Sequence, residues 1–372
     1  MKKDESFSEQ EMPQRKIPDI EVIDFEENID SPEIDEAPDP SGEAPKKRFR
    51  INLHIVLAIT IVLVPCIILL RFLNWGKFIS QNEIRDNIEG GYSDTLDLTV
   101  PLVGDDGRMI PLNTEDGLSI VFFGNAPFAD DRDSKDNLVN IIGDLTGATV
   151  YNCSIGDSYM ACERSTFRAE EKPMDAYSLF WMAASATGAA EPSMFQEAAS
   201  ALGENIPEDA QQATDLLGTI DFSTVDVIAI MYDAYDYLLG RPVINLGDAT
   251  DLTTFTGNLE SAIWYLQFAF PHIRIIVLSP TYAFSDELDE NGNYVSSGMV
   301  RYNGYDALSS YVVMEGSSCS LRQVTFIDNL YGTVHEDNAL DYLSDNRHLN
   351  IDGRKLVARR FIEAMNCYNS ED

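Results

Sequence analysis

Beyond residue 117 the chain repeats one pattern to its end: a short, continuously apolar run, then a longer segment with helical spacing. The apolar runs fall at residues 119–123, 148–153, 225–231, 273–278 and 324–327. Strands that are apolar on both faces must be covered on both faces, which implies a parallel sheet between layers of helices. Segments 136–145, 173–219, 251–270, 305–313 and 351–367 supply those helices, the second of them broken near Pro192 and Pro207. The pattern predicts an α/β fold built on a five-stranded parallel sheet. Right-handed crossovers then gather the loops that follow the strands along one edge, where open sheets of this kind hold ligands.

What precedes this alternation is of another character. Residues 1–45 carry fifteen acidic and four basic side chains among scattered prolines. So few apolar groups do not offset the entropy of ordering, so an acidic, disordered tail is expected. A piece around Phe25 could recruit a cytoplasmic partner. Lys46, Lys47, Arg48 and Arg50 then open onto residues 51–70, a largely apolar run closed by Arg71. At ~1.5 Å of rise per residue, a helix of that length crosses the ~30 Å hydrocarbon layer. Pro65 is tolerated in such a helix, and Trp75 suits the interface. A cleaved signal peptide fits less well, given the long acidic leader and the lack of an A-x-A site. The basic flank predicts a cytoplasmic N-terminus. The expectation is therefore a single-pass anchor in the cell membrane over residues 46–73, a stalk and lead-in hairpin over 74–116, and an extracellular domain over 117–372. A net charge of −36 argues against nucleic acid as a partner, because phosphate binding needs clustered Lys and Arg. Cys66 lies in the apolar run, and Cys153, Cys162, Cys319 and Cys367 are scattered without a C-x-x-C. Free buried thiols are expected, and no zinc site.

Within the repeating part, Asp345 and His348 stand three residues apart, just ahead of the last helix. Asn350 can cap that helix by accepting from an amide two or three residues on. Leu356, Val357, Phe361, Ala364 and Met365 then recur at helical spacing and give it one buried face. A loop-borne Asp–His pair has the makings of a base with its orienting carboxylate. Asp130, Asp131 and Asp133 form an acidic loop around Arg132, read as a solvated loop rather than a calcium site because its spacing is not that of an EF-hand. His272 and His335 read as structural and surface residues. Residues 286–293 read as a polar turn, a hairpin or lid over the site.

Three blocks together resemble the SGNH (GDSL-type) hydrolase family: V-F-F-G-N-A at 121–126, V-Y-N-C-S-I-G-D-S at 150–158 and D-N-R-H at 345–348. The resemblance implies a three-layer α/β/α, flavodoxin-like fold and ester hydrolysis, often on acylated carbohydrates or lipids, with no cofactor and no metal. It makes His348 the base and Asp345 its orienter. The family's nucleophilic serine falls on Ala126, which has no oxygen to attack with, and Asn125 stands in place of the preceding aspartate. The glycine amide that helps hold the oxyanion falls on Gly156 or Asp157. The family's asparagine is replaced at Ala234 or Tyr235, while Asp236 matches the last position of its block. Gly156-Asp157-Ser158 also spells G-D-S, so a second reading makes Ser158 a substitute nucleophile. Losing a nucleophile costs orders of magnitude in rate, and losing one oxyanion donor ~10²–10³-fold more. The sequence therefore predicts a membrane-anchored, catalytically impaired hydrolase-like domain that binds an acyl-ester or carbohydrate ligand of the cell envelope. The alternative is an active esterase or acyltransferase that uses His348 and Asp345 with Ser158. Tyr232, Tyr235 and Tyr237 either stack a sugar or pack the core edge.

Overall fold

The computed structural model describes residues 95–103, 109–110, 112, 117–304 and 306–366. The acidic tail, the apolar run with its basic flank, most of the stalk, Cys66 and Cys367 lie outside the described residues. Among the described residues no helix is long and apolar enough to cross a membrane.

In chain order the elements are β1 (Ser119–Gly124), α1 (Ala126–Ala129), α2 (Leu138–Thr146), β2 (Thr149–Asn152), α3 (Leu179–Ala186), α4 (Ser193–Leu202), α5 (Ala210–Leu217), β3 (Val227–Met231), α6 (Tyr235–Leu238), α7 (Phe255–Ala269) and β4 (Arg274–Leu278). There follow β5 (Phe284–Leu288), β6 (Tyr294–Ser296), α8 (Leu308–Arg322), β7 (Thr325–Ile327), α9 (Asn329–Gly332), α10 (Ala339–Tyr342) and α11 (Ile351–Asn366). Five strands form one sheet in the order β2-β1-β3-β4-β7, and every neighbouring pair is parallel. This is the doubly wound arrangement that the continuous apolar runs predict. β1, β3, β4 and β7 are buried at every position. β2, at the edge, is the one strand of this sheet left partly in solvent, exposed at Thr149 and half-buried over the rest.

The strand order fixes the layers. The chain winds outward from β1 to β2, then returns past β1 to β3, β4 and β7, so right-handed crossovers put their helices on opposite faces. Accordingly α2 packs with α11, while α7 packs with α3 and α8. Phe122 of β1 shows how the sheet and two helical elements are tied. Its ring lies 5.0 Å from Phe128 of α1 and 6.1 Å from Phe361 of α11. Each such buried ring contributes roughly 1.5–3 kcal/mol of transfer free energy.

Local chemistry sets the helix ends. Asn137 accepts from the amides of Val139 and Asn140 at the start of α2, and Gly147 ends it at φ +71°. Thr254 caps α7 through Gly257. Asn350 caps α11 through the amides of Asp352 and Gly353, each at 3.0 Å. The helix expected over 305–313 instead runs from Leu308 to Arg322. Its second half is rich in Ser and Gly, yet Val312, Glu315 and Cys319 keep the buried helical spacing. Gly316 is there for packing: a Cβ would stand 3.0 Å from the Phe326 ring. The loop between β4 and α8 folds into the antiparallel pair β5 and β6, the hairpin read from the polar turn.

The lead-in segment joins the sheet. Leu98 bridges Phe326 on the open side of β7, antiparallel, with bonds of 2.9 and 2.8 Å. Asp97 accepts from the Asp328 amide at 2.8 Å and pairs with Arg360 of α11. Asp328 in turn accepts from the Leu96 amide at 2.9 Å. Among the described residues Cys153, Cys162 and Cys319 are free and buried. Burial pushes the Cys153 thiol up to about 12, so it is inert as a nucleophile at neutral pH.

Candidate functional site

The winding reverses between β1 and β3, and the carboxyl ends of these strands meet at one point of the sheet edge. Gly124 makes the meeting possible. A Cβ there would lie 2.0 Å from the Met231 carbonyl oxygen, so any side chain would push the two strands apart. Asn125 follows, wholly buried. Its Oδ1 accepts from the Asp233 amide at 2.8 Å, and its Nδ2 donates to Asp233 Oδ1 at 2.7 Å and to the Ser158 carbonyl at 3.1 Å. Asn125 thus ties together the loops after β1, β2 and β3. Ala126 opens α1 with 2% of its surface exposed, and its methyl group offers neither donor nor acceptor.

The loop between α10 and α11 brings in the Asp–His pair. Asp345 Oδ2 lies 2.6 Å from His348 Nδ1, and its Oδ1 accepts from the amides of Arg347 (2.9 Å) and His348 (2.8 Å). Burial pushes the Asp345 carboxyl up, but those two amides and the imidazole outweigh it and hold the group below its ordinary value. With Nδ1 donating to Asp345, Nε2 keeps the lone pair and can take up a proton. Arg347, between the two, turns back over the switch point. Its guanidinium pairs with Asp233 and lies 4.5 Å above the Tyr235 ring. The Arg347 charge is held more firmly than usual: burial opposes it, and Asp233 more than compensates. Asp130, one residue beyond α1, lies close enough to feel His348, Arg354, Asp233 and Arg347. Burial raises its carboxyl above the ordinary value, with His348 and Arg354 opposing.

The loop after β2 is held from below. Arg132 donates to the carbonyls of Asn152, at 2.6 Å, and Ser154, and pairs with Asp209 at 3.4 Å. Asp209 accepts from the Gly156 amide, with 3.1 Å to the nearer oxygen. Of the two amides, Gly156 and Asp157, expected from the sequence as oxyanion donors, that of Gly156 is therefore engaged by a carboxylate. Burial raises the Asp209 carboxyl, against Arg132 and that amide. Ser158 is fully buried, and its hydroxyl donates to the Ile155 carbonyl at 2.8 Å. Asp236 supports the same loop by accepting from the amides of Met160 and Ala161, each at 2.8 Å.

Together these loops enclose an open cavity of about 570 Å³ whose lining includes Asp130, Arg132, Gly156, Asp157, Asp209 and His348. Ala126, Ser158 and Tyr235 are not part of that lining. Tyr232 and Tyr237 are buried in the core, so of the three tyrosines only Tyr235 approaches the site. Among the described residues no group of three or more His, Cys, Asp or Glu side chains is arranged to hold a metal ion. In the acidic loop Asp131 pairs with Arg354 at 2.7 Å instead. His272 bonds the Phe222 carbonyl, and His335 stands near Asp337.

Of the residues singled out in the sequence, Gly156, Asp157 and His348 line the cavity, and Asp345 and Asn125 hold the loops beside it. Sequence reasoning missed Arg347 as a bridge, Asp233 as its partner and Asp209 as the group on Gly156. Asp233 and Arg347 lie 114 positions apart, and Gly156 and Asp209 lie 53 apart. No local pattern reports such pairings. Chemically, the arrangement offers an oriented base beside an acidic cavity. The hydroxyl at 158 is committed to the backbone, and position 126 has none.

The geometry defines a doubly wound α/β domain with a polar centre at its switch point. No protein-family model matches the chain, and no curated protein is similar to it in sequence. Solved structures do match in outline. A protein from Lactobacillus plantarum is 17% identical over 68% of this chain and 97% of that chain, with a TM-score of 0.46. A possible lipase from Chitinophaga pinensis is 14% identical over 68% of this chain and 99% of that one, with a TM-score of 0.42. A family two carbohydrate esterase from Clostridium thermocellum, solved with cellohexaose, is 14% identical over 70% and 67%, with a TM-score of 0.38.

Proposed function

We propose that this chain is a membrane-anchored, extracellular SGNH-hydrolase-like protein whose ester-cleaving centre has lost its nucleophile. In this reading the cavity beside His348 holds an acyl-ester or carbohydrate ligand of the cell envelope, and residues 51–70 form the anchor. The observation that carries the reading is Ala126, which follows the Gly124–Asn125 turn at the switch point with only a methyl group to offer. Two features support it. His348 and Asp345 are already in base-and-orienter geometry at 2.6 Å, so proton transfer alone is not what is missing. The Gly156 amide is bonded to Asp209, and a carboxylate there repels a developing oxyanion.

The test is hydrolysis of a small acetyl ester and an acetylated glycan by the full-length chain, by Ala126→Ser, and by Ala126→Ser combined with His348→Ala. The natural chain is expected to be inert. Ala126→Ser should gain activity that His348→Ala removes. Hydrolysis by the natural chain that depends on His348 would overturn the impairment. No gain on Ala126→Ser would overturn the assignment of position 126.

A further inference from the structure

A second cavity, of about 710 Å³, opens on the outer side of α7 and shares no lining residue with the first. It sits over a separate small apolar cluster of Cys162, Phe180, Ala184 and Leu252. Two large rings of α7 are left in solvent there: Trp264 is 49% exposed and Phe268 79%. They are not loose. Trp264 and Phe268, one helical turn apart, stack at 5.7 Å with planes 16° apart. Tyr265 meets Trp264 edge-on at 5.1 Å and Phe180 at 5.3 Å. Trp264 and Tyr265 thus form an aromatic ledge along one wall of the cavity, which Phe268 extends beyond the lining.

The rest of the lining is polar and not saturated. Ser261 is only 8% exposed, yet its hydroxyl has no partner among the described residues, while Ser165 lines the rim with its side chain exposed. Asp248 gives one oxygen to the amide and hydroxyl of Thr250 and keeps the other free of protein partners among the described residues. Arg322 enters from α8, where Glu260 already balances its charge at 3.3 Å. Hydroxyls and a carboxylate acceptor therefore face a ring wall, and Arg322, the cation among the described lining residues, is already paired.

We propose that this cavity is a binding site for a neutral glycan chain, distinct from the His348 cavity. A pyranose ring has an apolar C–H face and a rim of hydroxyls that both donate and accept. The C–H face suits the electron-rich face of an aromatic ring, and the hydroxyl rim suits the hydroxyls and carboxylate that share the cleft with those rings. An anionic ligand would meet Asp248 and Asp251 with no free cation to answer it. A flat protein surface would cover the ledge but not reach Ser261.

Isothermal titration of the full-length chain with cellohexaose, xylohexaose, mannohexaose and N-acetylchitohexaose, none of which carries an ester, tests the site. At least one is expected to bind. Trp264→Ala should weaken it about tenfold, the scale of one lost aromatic contact. Trp264→Phe should retain most of the affinity, Asp248→Asn should lower it, and His348→Ala should leave it unchanged. Near-ultraviolet circular dichroism checks that Trp264→Ala keeps the fold. Failure of all four sugars to bind at millimolar concentration overturns the proposal. So does equal binding by Trp264→Ala, or loss on His348→Ala, which would move the sugar to the first cavity. None of these outcomes depends on whether position 126 can be made to hydrolyse an ester.

Discussion

Asp236→Asn exchanges one oxygen for an NH₂ group where both oxygens are in use. Each accepts a backbone amide, Met160 and Ala161 at 2.8 Å, and the side chain is 1% exposed. Whichever way the new amide turns, one N–H faces an N–H and neither reaches water. Leaving one buried donor unpaired costs about 1–3 kcal/mol. For a domain of this size that lowers the melting midpoint by roughly 2–4 °C per kcal/mol. The ionisation of Asp236 adds a pH signature. Burial pushes its carboxyl up to about 6, against the two amides and Arg241 and with help from Asp233. A carboxyl raised on folding takes up a proton as the chain folds. Its contribution to stability is therefore complete below about pH 4 and is lost as pH rises through about 6. The rise from 3.8 to about 6 is worth at most ~3 kcal/mol, at about 1.4 kcal/mol per pH unit. Asn does not titrate, so the gap between the natural chain and Asp236→Asn should narrow from pH 5 to pH 7.5. Urea denaturation at a series of pH values reads both effects. An Asn variant within about 0.5 kcal/mol of the natural chain at every pH would show that the two amides are not held as described.

Two other substitutions probe the interior. Arg132→Ala removes the donor to the Asn152 and Ser154 carbonyls and leaves the half-buried Asp209 without its cation, which should cost about 1–3 kcal/mol, the scale of a carbonyl left without its charged donor; an unchanged urea midpoint would deny Arg132 its role under the β2 loop. Glu315 is fully buried with neither carboxyl oxygen bonded among the described residues, so Glu315→Met should raise stability by about 1–3 kcal/mol. Burial holds the Glu315 carboxyl well above its ordinary value. Its contribution is therefore lost as pH rises, and calorimetric scans of the Met variant should lose that part of the decline; a lower midpoint in Glu315→Met at neutral pH would mean that the carboxyl has a partner.

The sheet was legible because burial on both faces leaves no polar position to confuse the signal. Residues 225–231 read as a strand, and Val227–Met231 is one. Hairpin and cap also announced themselves locally, through the Gly292–Asn293 tip and Asn350. The short helices α1, α6, α9 and α10 gave no signal, since four residues do not complete a hydrophobic period. The site was legible only where its chemistry is local. Asp345 and His348 are three residues apart and share a loop, so their pairing could be read. The bond from Gly156 to Asp209 could not, because Asp209 precedes α5 in a segment whose only visible property was helical spacing. Arg347 looked like filler within D-N-R-H until the fold set it against Asp233. Ser158 spelled G-D-S, but sequence does not reveal that its hydroxyl turns inward to Ile155.

The stitch between the lead-in segment and β7 has a mechanical meaning. Any tension arriving along the chain from its N-terminal side passes through residues 95–98. There it meets Leu98 paired with Phe326, Leu96 bonded to Asp328, and Asp97 held by both the Asp328 amide and Arg360. Loaded together, these contacts share a pull that would otherwise peel one bond at a time. Arg360 belongs to α11, the helix that Asn350 caps just after His348. The stitch therefore couples the lead-in segment to the helix behind the Asp–His loop, so that edge of the sheet is fastened to two elements at once.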